Sequence, residues 1–131
     1  MAGETILVVE DNPVNRRLVE FLLRSNGYRV REASTAPEAF DILKTERPAL
    51  ILMDVQLPGM DGLEAIRTLK ANPATRDIPV VAVTSYAMTG DREKALAAGC
   101  AGYITKPIDT ATFIQEVAAR LGAKPSPTAG R

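Results

Sequence analysis

The sequence contains no histidine. That absence removes Ser-His-Asp and Cys-His catalysis and every metal site built on imidazole. It also means that the chain carries no phosphohistidine of its own. The single cysteine, Cys100, cannot close an internal disulfide, which fits a reducing compartment. Net charge is missing too. Lys+Arg and Asp+Glu both number 16, so no overall field draws in nucleic acid or an anionic membrane. No apolar run approaches the ~18 residues of a membrane span. No leader is visible, since Met1-Ala2-Gly3-Glu4 runs straight into an apolar strand. A cytoplasmic protein is therefore expected. Its chemistry must rest on carboxylates, hydroxyls, Lys106 and a hard cation.

What is present suits one domain. A chain of 131 residues favours a single core, and such a domain buries roughly two-thirds of its unfolded surface. Short apolar runs alternate with helical patterns. Thr5 to Val9 is expected as a buried strand. Asn12 caps a helix with Pro13 at its first position. Val14, Leu18, Phe21 and Leu22 are taken as that helix's inner face, and Gly27 ends it. Tyr28 to Arg31 alternates weakly, as an edge strand would. Ser34 or Thr35 opens a helix that turns Ala36, Ala39, Phe40 and Leu43 inward. Leu50 to Met53 is a third strand. Asp61 begins a helix with Leu63, Ile66 and Leu69. Val80 to Val83 and Ala101 to Ile104 are two more strands, separated by the Ala-rich segment Met88 to Ala98 and its stop, Gly99. Asp109 or Thr110 caps a last helix through Phe113, Ile114, Val117 and Leu121. The domain is expected over 4–122, with a flexible tail over 123–131.

Strand and helix in strict alternation predict an α/β doubly wound sandwich, a parallel sheet covered on both faces. Ligands in such folds bind beyond the carboxyl ends of the strands. Glu10-Asp11, Asp54, Thr84 and Thr105-Lys106 all fall there. Carboxylates gathered on one rim repel one another unless a cation sits among them. Mg²⁺ takes oxygen ligands and keeps several waters, so it suits that rim. Plainer roles exist for each residue. Glu10-Asp11 is also what a helix N-terminus favours electrostatically. Thr84 is also a helix cap, Lys106 a surface lysine and Tyr103 half-buried packing. Arg16, Arg17, Arg92 and Lys94 are taken as solvated helix faces, with contact to a kinase as the alternative for some of them, and Cys100 as a small buried hydrophobe.

Four motifs in order resemble the receiver domain of bacterial two-component response regulators. They are Val9-Glu10-Asp11-Asn12, the run Met53-Asp54-Val55-Gln56-Leu57-Pro58-Gly59-Met60-Asp61-Gly62, Val83-Thr84-Ser85, and Tyr103-Ile104-Thr105-Lys106-Pro107. The resemblance spans about Thr5 to Leu121. It implies a flavodoxin-like (βα)5 fold with strand order 2-1-3-4-5. It implies that Asp54 accepts a phosphoryl group from a phosphohistidine of a sensor histidine kinase or phosphotransfer protein. Glu10, Asp11, Asp54 and the Gln56 backbone carbonyl would hold Mg²⁺, and Lys106 would pair with the phosphoryl oxygens. Thr84 and Tyr103 would form a coupled switch. The bond before Pro107 would be cis. The finer resemblance, carried by Glu10-Asp11-Asn12-Pro13-Val14-Asn15 and Ala98-Gly99-Cys100, is to single-domain receivers of the DivK type and to receivers of hybrid histidine kinases.

The expected output is protein binding through the surface of residues 88–121, by a monomer or weak dimer with no DNA-binding domain. Another class is a phosphatase with an aspartate nucleophile. That chemistry uses a second aspartate two positions on, where this chain has Gln56. A flavodoxin or dinucleotide module is a third class. No Gly-x-Gly-x-x-Gly follows the first strand, and Glu10-Asp11 would repel a phosphate there.

Overall fold

The computed structural model describes residues 3–55, 62–84, 89–106 and 108–121, with residues 89–92 described by backbone alone. Its strands are β1 (Thr5–Val9), β2 (Arg29–Ala33), β3 (Leu50–Asp54), β4 (Val80–Thr84) and β5 (Gly102–Thr105). The helices are α1 (Pro13–Ser25), α2 (Ala36–Leu43), α3 (Gly62–Ala71), α4 (Thr89–Ala98) and α5 (Phe113–Leu121). All strand pairs are parallel and the order is β2-β1-β3-β4-β5. This is the flavodoxin-like sandwich, and β2 is an edge strand as the sequence predicted.

Alternation along the strands splits the core into two layers. Ile6, Val8, Leu50, Leu52, Val81, Val83 and Ile104 pack with Val19 and Leu23 of α1 and Phe113 and Val117 of α5. Leu7, Val9, Ile51, Met53, Val80 and Ala82 pack against α2, α3 and α4. The central strands are apolar at both parities because both sheet faces are covered.

Local chemistry sets the helix ends. Asn12 is extended, and its Oδ1 accepts from the backbone N–H groups of Val14 at 2.9 Å and Asn15 at 3.2 Å. Thr35, not Ser34, caps α2, accepting from the Glu38 N–H at 3.2 Å. At the end of α1, Gly27 has φ 89, and the Tyr28 N–H donates to the Leu23 carbonyl at 3.1 Å. Gly99 repeats this stop with φ 112.

The face of α1 differs from the sequence expectation. Val14 is 75% and Phe21 67% exposed, whereas Val19 and Leu23 are buried. The inward stripe is rotated about one residue, which carries Arg16 toward the sheet with Val19 and Leu23. Boundaries of three elements also shift. β2 runs from Arg29 to Ala33, and β5 begins at Gly102. α5 begins only at Phe113, after a turn in which Asp109 Oδ1 accepts from the Ala111 N–H at 2.9 Å.

Candidate functional site

The same alternation delivers the polar residues. Glu10 continues the side taken by Ile6 and Val8. Asp54 continues that of Leu50 and Leu52, and Lys106 that of Ile104. All three therefore emerge at the carboxyl rim on the α1/α5 side. Glu10 is 4% and Asp54 3% exposed. Asp11, one residue beyond Glu10, is exposed at the mouth. Carboxylate oxygens of Glu10, Asp11 and Asp54 lie within 4.8 Å of one another. The Lys106 ammonium bridges two of them, 3.0 Å from Glu10 Oε1 and 3.2 Å from Asp54 Oδ2.

Backbone bonds hold this rim from several strands. The Lys106 N–H donates to the Thr84 carbonyl at 2.7 Å, and the Val55 N–H to Val83 at 3.0 Å. The Asn12 N–H donates to Glu10 Oε2 at 3.1 Å. Helix α3 starts close against the end of β3. The Gly62 N–H reaches the Val55 carbonyl at 3.1 Å. A Cβ at Gly62 would lie on the Val55 Cα and 2.5 Å from the Asp54 carbonyl oxygen. Only glycine fits there.

Electrostatics follow from burial. Loss of solvent raises the Glu10 carboxyl above the ordinary 4.5, and the nearby Asp54 adds to this against the opposing pull of Lys106. Burial pulls Lys106 down, but its hydrogen bond to Glu10 and the charge of Asp54 more than reverse this, so it stays a cation. The rim thus contains a fixed ammonium lodged in an acidic pair.

The acidic cluster fits a hard divalent ion. Its donors are carboxylate oxygens, the set Mg²⁺ prefers. Their mutual approach to within 4.8 Å is of the order of the ~4.2 Å across a Mg²⁺ octahedron. Glu10, Asp11 and Asp54 are the residues that would hold such an ion.

Thr84 and Tyr103 occupy the other side of the sheet. Thr84 is 1% exposed and shares its parity with Val80 and Ala82. Tyr103 is the register partner of Ala82 and packs, partly buried, against the α2–α4 core layer. The Gln56 carbonyl, the turn through Asp61, Pro107 with its expected cis bond, and the tail from 122 lie outside the described residues. Cys100 is buried and its thiol is pushed up to about 11 by burial, so it is packing and not a reactive group.

Sequence reasoning missed two residues. Arg16 was assigned to solvent, yet its Nη1 donates to the Glu10 carbonyl at 2.8 Å. Its place three and seven residues before Val19 and Leu23 was the available signal. The close approach at Gly62 had only the glycine itself as a sign.

The family profile described as response regulator receiver domain matches residues 6–118. The polar-differentiation response regulator DivK of Brucella anthropi is 42% identical over 119 residues, covering 91% of this chain and 97% of its own. Among solved structures, one similar chain is the receiver domain of sensor histidine kinase PA1611 from Pseudomonas aeruginosa PAO1, with magnesium coordinated in its active-site cleft. It has TM-score 0.84 and 40% identity, covering 93% of this chain and 100% of that one. The receiver domain of a signal transduction histidine kinase from Syntrophus aciditrophicus has TM-score 0.84 and 32% identity over 98% of each chain.

Proposed function

The chain belongs to the response regulator receiver domain family, and from that membership we propose that Asp54 is its phosphoacceptor. Receivers of this family carry out their own aspartyl phosphorylation and dephosphorylation with Mg²⁺, and their partners are histidine kinases or phosphotransfer proteins. The observation that carries Asp54 is its buried carboxylate, 3.2 Å from Lys106 and clustered with Glu10 and Asp11.

In the proposed reaction an Asp54 carboxylate oxygen attacks the phosphorus of the partner's phosphohistidine. The P–N bond breaks, and its electron pair stays on the imidazole, which takes up a proton. Lys106 follows the charge onto the phosphoryl oxygens, exchanging its bond to Asp54 for one to the new group. Glu10, Asp11 and Asp54, with the Gln56 carbonyl, would hold the ion, which when bound neutralises charge on the phosphoryl oxygens. Water later attacks the aspartyl phosphate and releases inorganic phosphate.

Thr84 is the proposed reporter, moving toward the new oxygens, and Tyr103 the aromatic that follows. Their shared sheet face supports this, because a shift at Thr84 frees space on the side where Tyr103 packs. Two docking surfaces are proposed, around the exposed large apolar residues Val14, Phe21 and Leu96. Val14, in the first turn of α1 beside the rim, suits the phosphodonor, with Phe21 two turns further along the same face. Leu96, in the segment 88–121, suits the output partner. The receiver is proposed to span 4–122 with 123–131 as tail, in the cytoplasm, as a monomer or weak dimer. No described helix is long and apolar enough to cross a membrane.

The test is Mg²⁺-dependent labelling by a small acyl phosphate. Wild type takes up about one phosphoryl group, and Asp54→Asn takes up none. Undiminished labelling of that variant rejects Asp54. A second reading, a receiver module within a hybrid kinase, is supported by the 40% identity to the histidine-kinase receiver. Immunodetection of the native polypeptide at far above 14.1 kDa would select it.

A further inference from the structure

We propose that Arg16 is a positioning residue for the Mg²⁺ site, acting through the peptide that joins Glu10 to Asp11. The inference rests on the reading that Glu10, Asp11 and Asp54 hold the ion.

The Glu10 residue is where β1 stops being a strand. Its N–H still donates to the Ala33 carbonyl of β2 at 3.0 Å. Its carbonyl instead accepts from Arg16 Nη1 at 2.8 Å. A peptide plane turns as one rigid unit. The plane fixed by that carbonyl also fixes the start of Asp11. It therefore sets the relative aim of two adjacent carboxylates, one buried and one exposed.

The guanidinium is itself braced from behind. Arg16 Nε lies 3.4 Å from Glu32 Oε1, on β2. Nη1 also reaches Ser34 Oγ at 3.4 Å, at the entrance to α2. The side chain is only 22% exposed. The backbone N–H of Arg16 closes the first turn of α1 onto the Asn12 carbonyl at 2.9 Å. One rigid, planar fork thus ties the metal-binding corner to the helix after it and the strand beside it. Lysine offers a single point charge and cannot hold the three partners together. Groups that orient metal ligands commonly matter about 10–100-fold in affinity. Arg16 acts one peptide removed, so the lower end of that range is expected.

The experiment is Mg²⁺ titration by calorimetry on Arg16→Met, Arg16→Lys, Arg24→Met and Asp11→Asn, with acyl-phosphate labelling measured across Mg²⁺ concentration. Arg24 is the control. It sits on the same helix, pairs with Glu20 at 2.7 Å and reaches the Val30 carbonyl of β2, away from the rim. Arg16→Met is expected to weaken Mg²⁺ binding about tenfold. Its half-saturating Mg²⁺ for labelling should rise in step, with the plateau rate retained. Arg16→Lys should recover part of the affinity, and Arg24→Met should bind like wild type. Wild-type affinity in Arg16→Met overturns the proposal. So does an equal loss in Arg24→Met, which would mark general loosening of α1 on the sheet. Failure of the underlying reading looks different, because Asp11→Asn would then bind Mg²⁺ as well as wild type.

Discussion

At the scale of single residues, the informative groups are those whose charge is set by burial. Glu10 has its carboxyl raised, first by desolvation and then by Asp54. In the Mg²⁺-free fold it therefore binds a proton more tightly than in the unfolded chain. Apo stability should fall as pH rises through the window just above 4.5, the ordinary value. A bound divalent ion removes that loss, because the carboxylate is then compensated. The Mg²⁺-induced gain in stability should thus grow with pH across that window and level off above it. Denaturant melts with and without Mg²⁺ from pH 4.5 upward test this. A gain that shrinks with rising pH would contradict it. Lys106 has a linkage of the same sign in a higher pH window. Its raised value keeps the bridge to Glu10 and Asp54 intact below the ordinary lysine value of 10.5, and its contribution is lost only in alkali beyond it.

Among elements, α1 and α3 show how packing decides what a pattern leaves open. The apolar residues of α1 fit two stripes about one position apart, and 3.6-residue periodicity does not choose between them. The sheet chooses Val19 and Leu23, because they meet Phe113 and Val117 of α5 in one core layer. Arg16 comes inward with them, while Val14 and Phe21 are left exposed. For α3 the deciding contact is backbone on backbone. Gly62 has the Val55 Cα and the Asp54 carbonyl where a side chain would begin, and a main chain cannot yield as a flexible side chain can. Gly62→Ala is expected to cost about 1–3 kcal/mol through overpacking, and to disturb Asp54 because it pushes on its own peptide. Chemical denaturation measures the first effect and acyl-phosphate labelling the second. Wild-type stability and labelling would together refute the close approach.

For the whole molecule, the sheet is a device for bringing distant chain segments to one rim. Glu10, Asp54 and Lys106 are far apart in sequence and adjacent at the carboxyl end of the sheet. The rim is assembled only in the folded chain, so ion binding there should stabilise the entire fold. At 100 times the dissociation constant, mass action gives about 2.7 kcal/mol. Thermal melts should shift up by several degrees with Mg²⁺, and Asp11→Asn should lose most of that shift. Equal shifts in both proteins would place the ion elsewhere.

Much of this was legible along the chain. Alternating runs, the Asn12 cap and the glycine stops determined the elements, since each is a local matter of backbone sterics and periodicity. Parallel pairing, right-handed crossovers and carboxylates at strand ends then determined the architecture and the acidic rim. Tertiary structure alone decided the rotation of α1, the inward turn of Arg16 and the lodging of Lys106 between Glu10 and Asp54. Each of these depends on what lies opposite a residue across the core, and a linear pattern carries no distance between segments that meet only on folding.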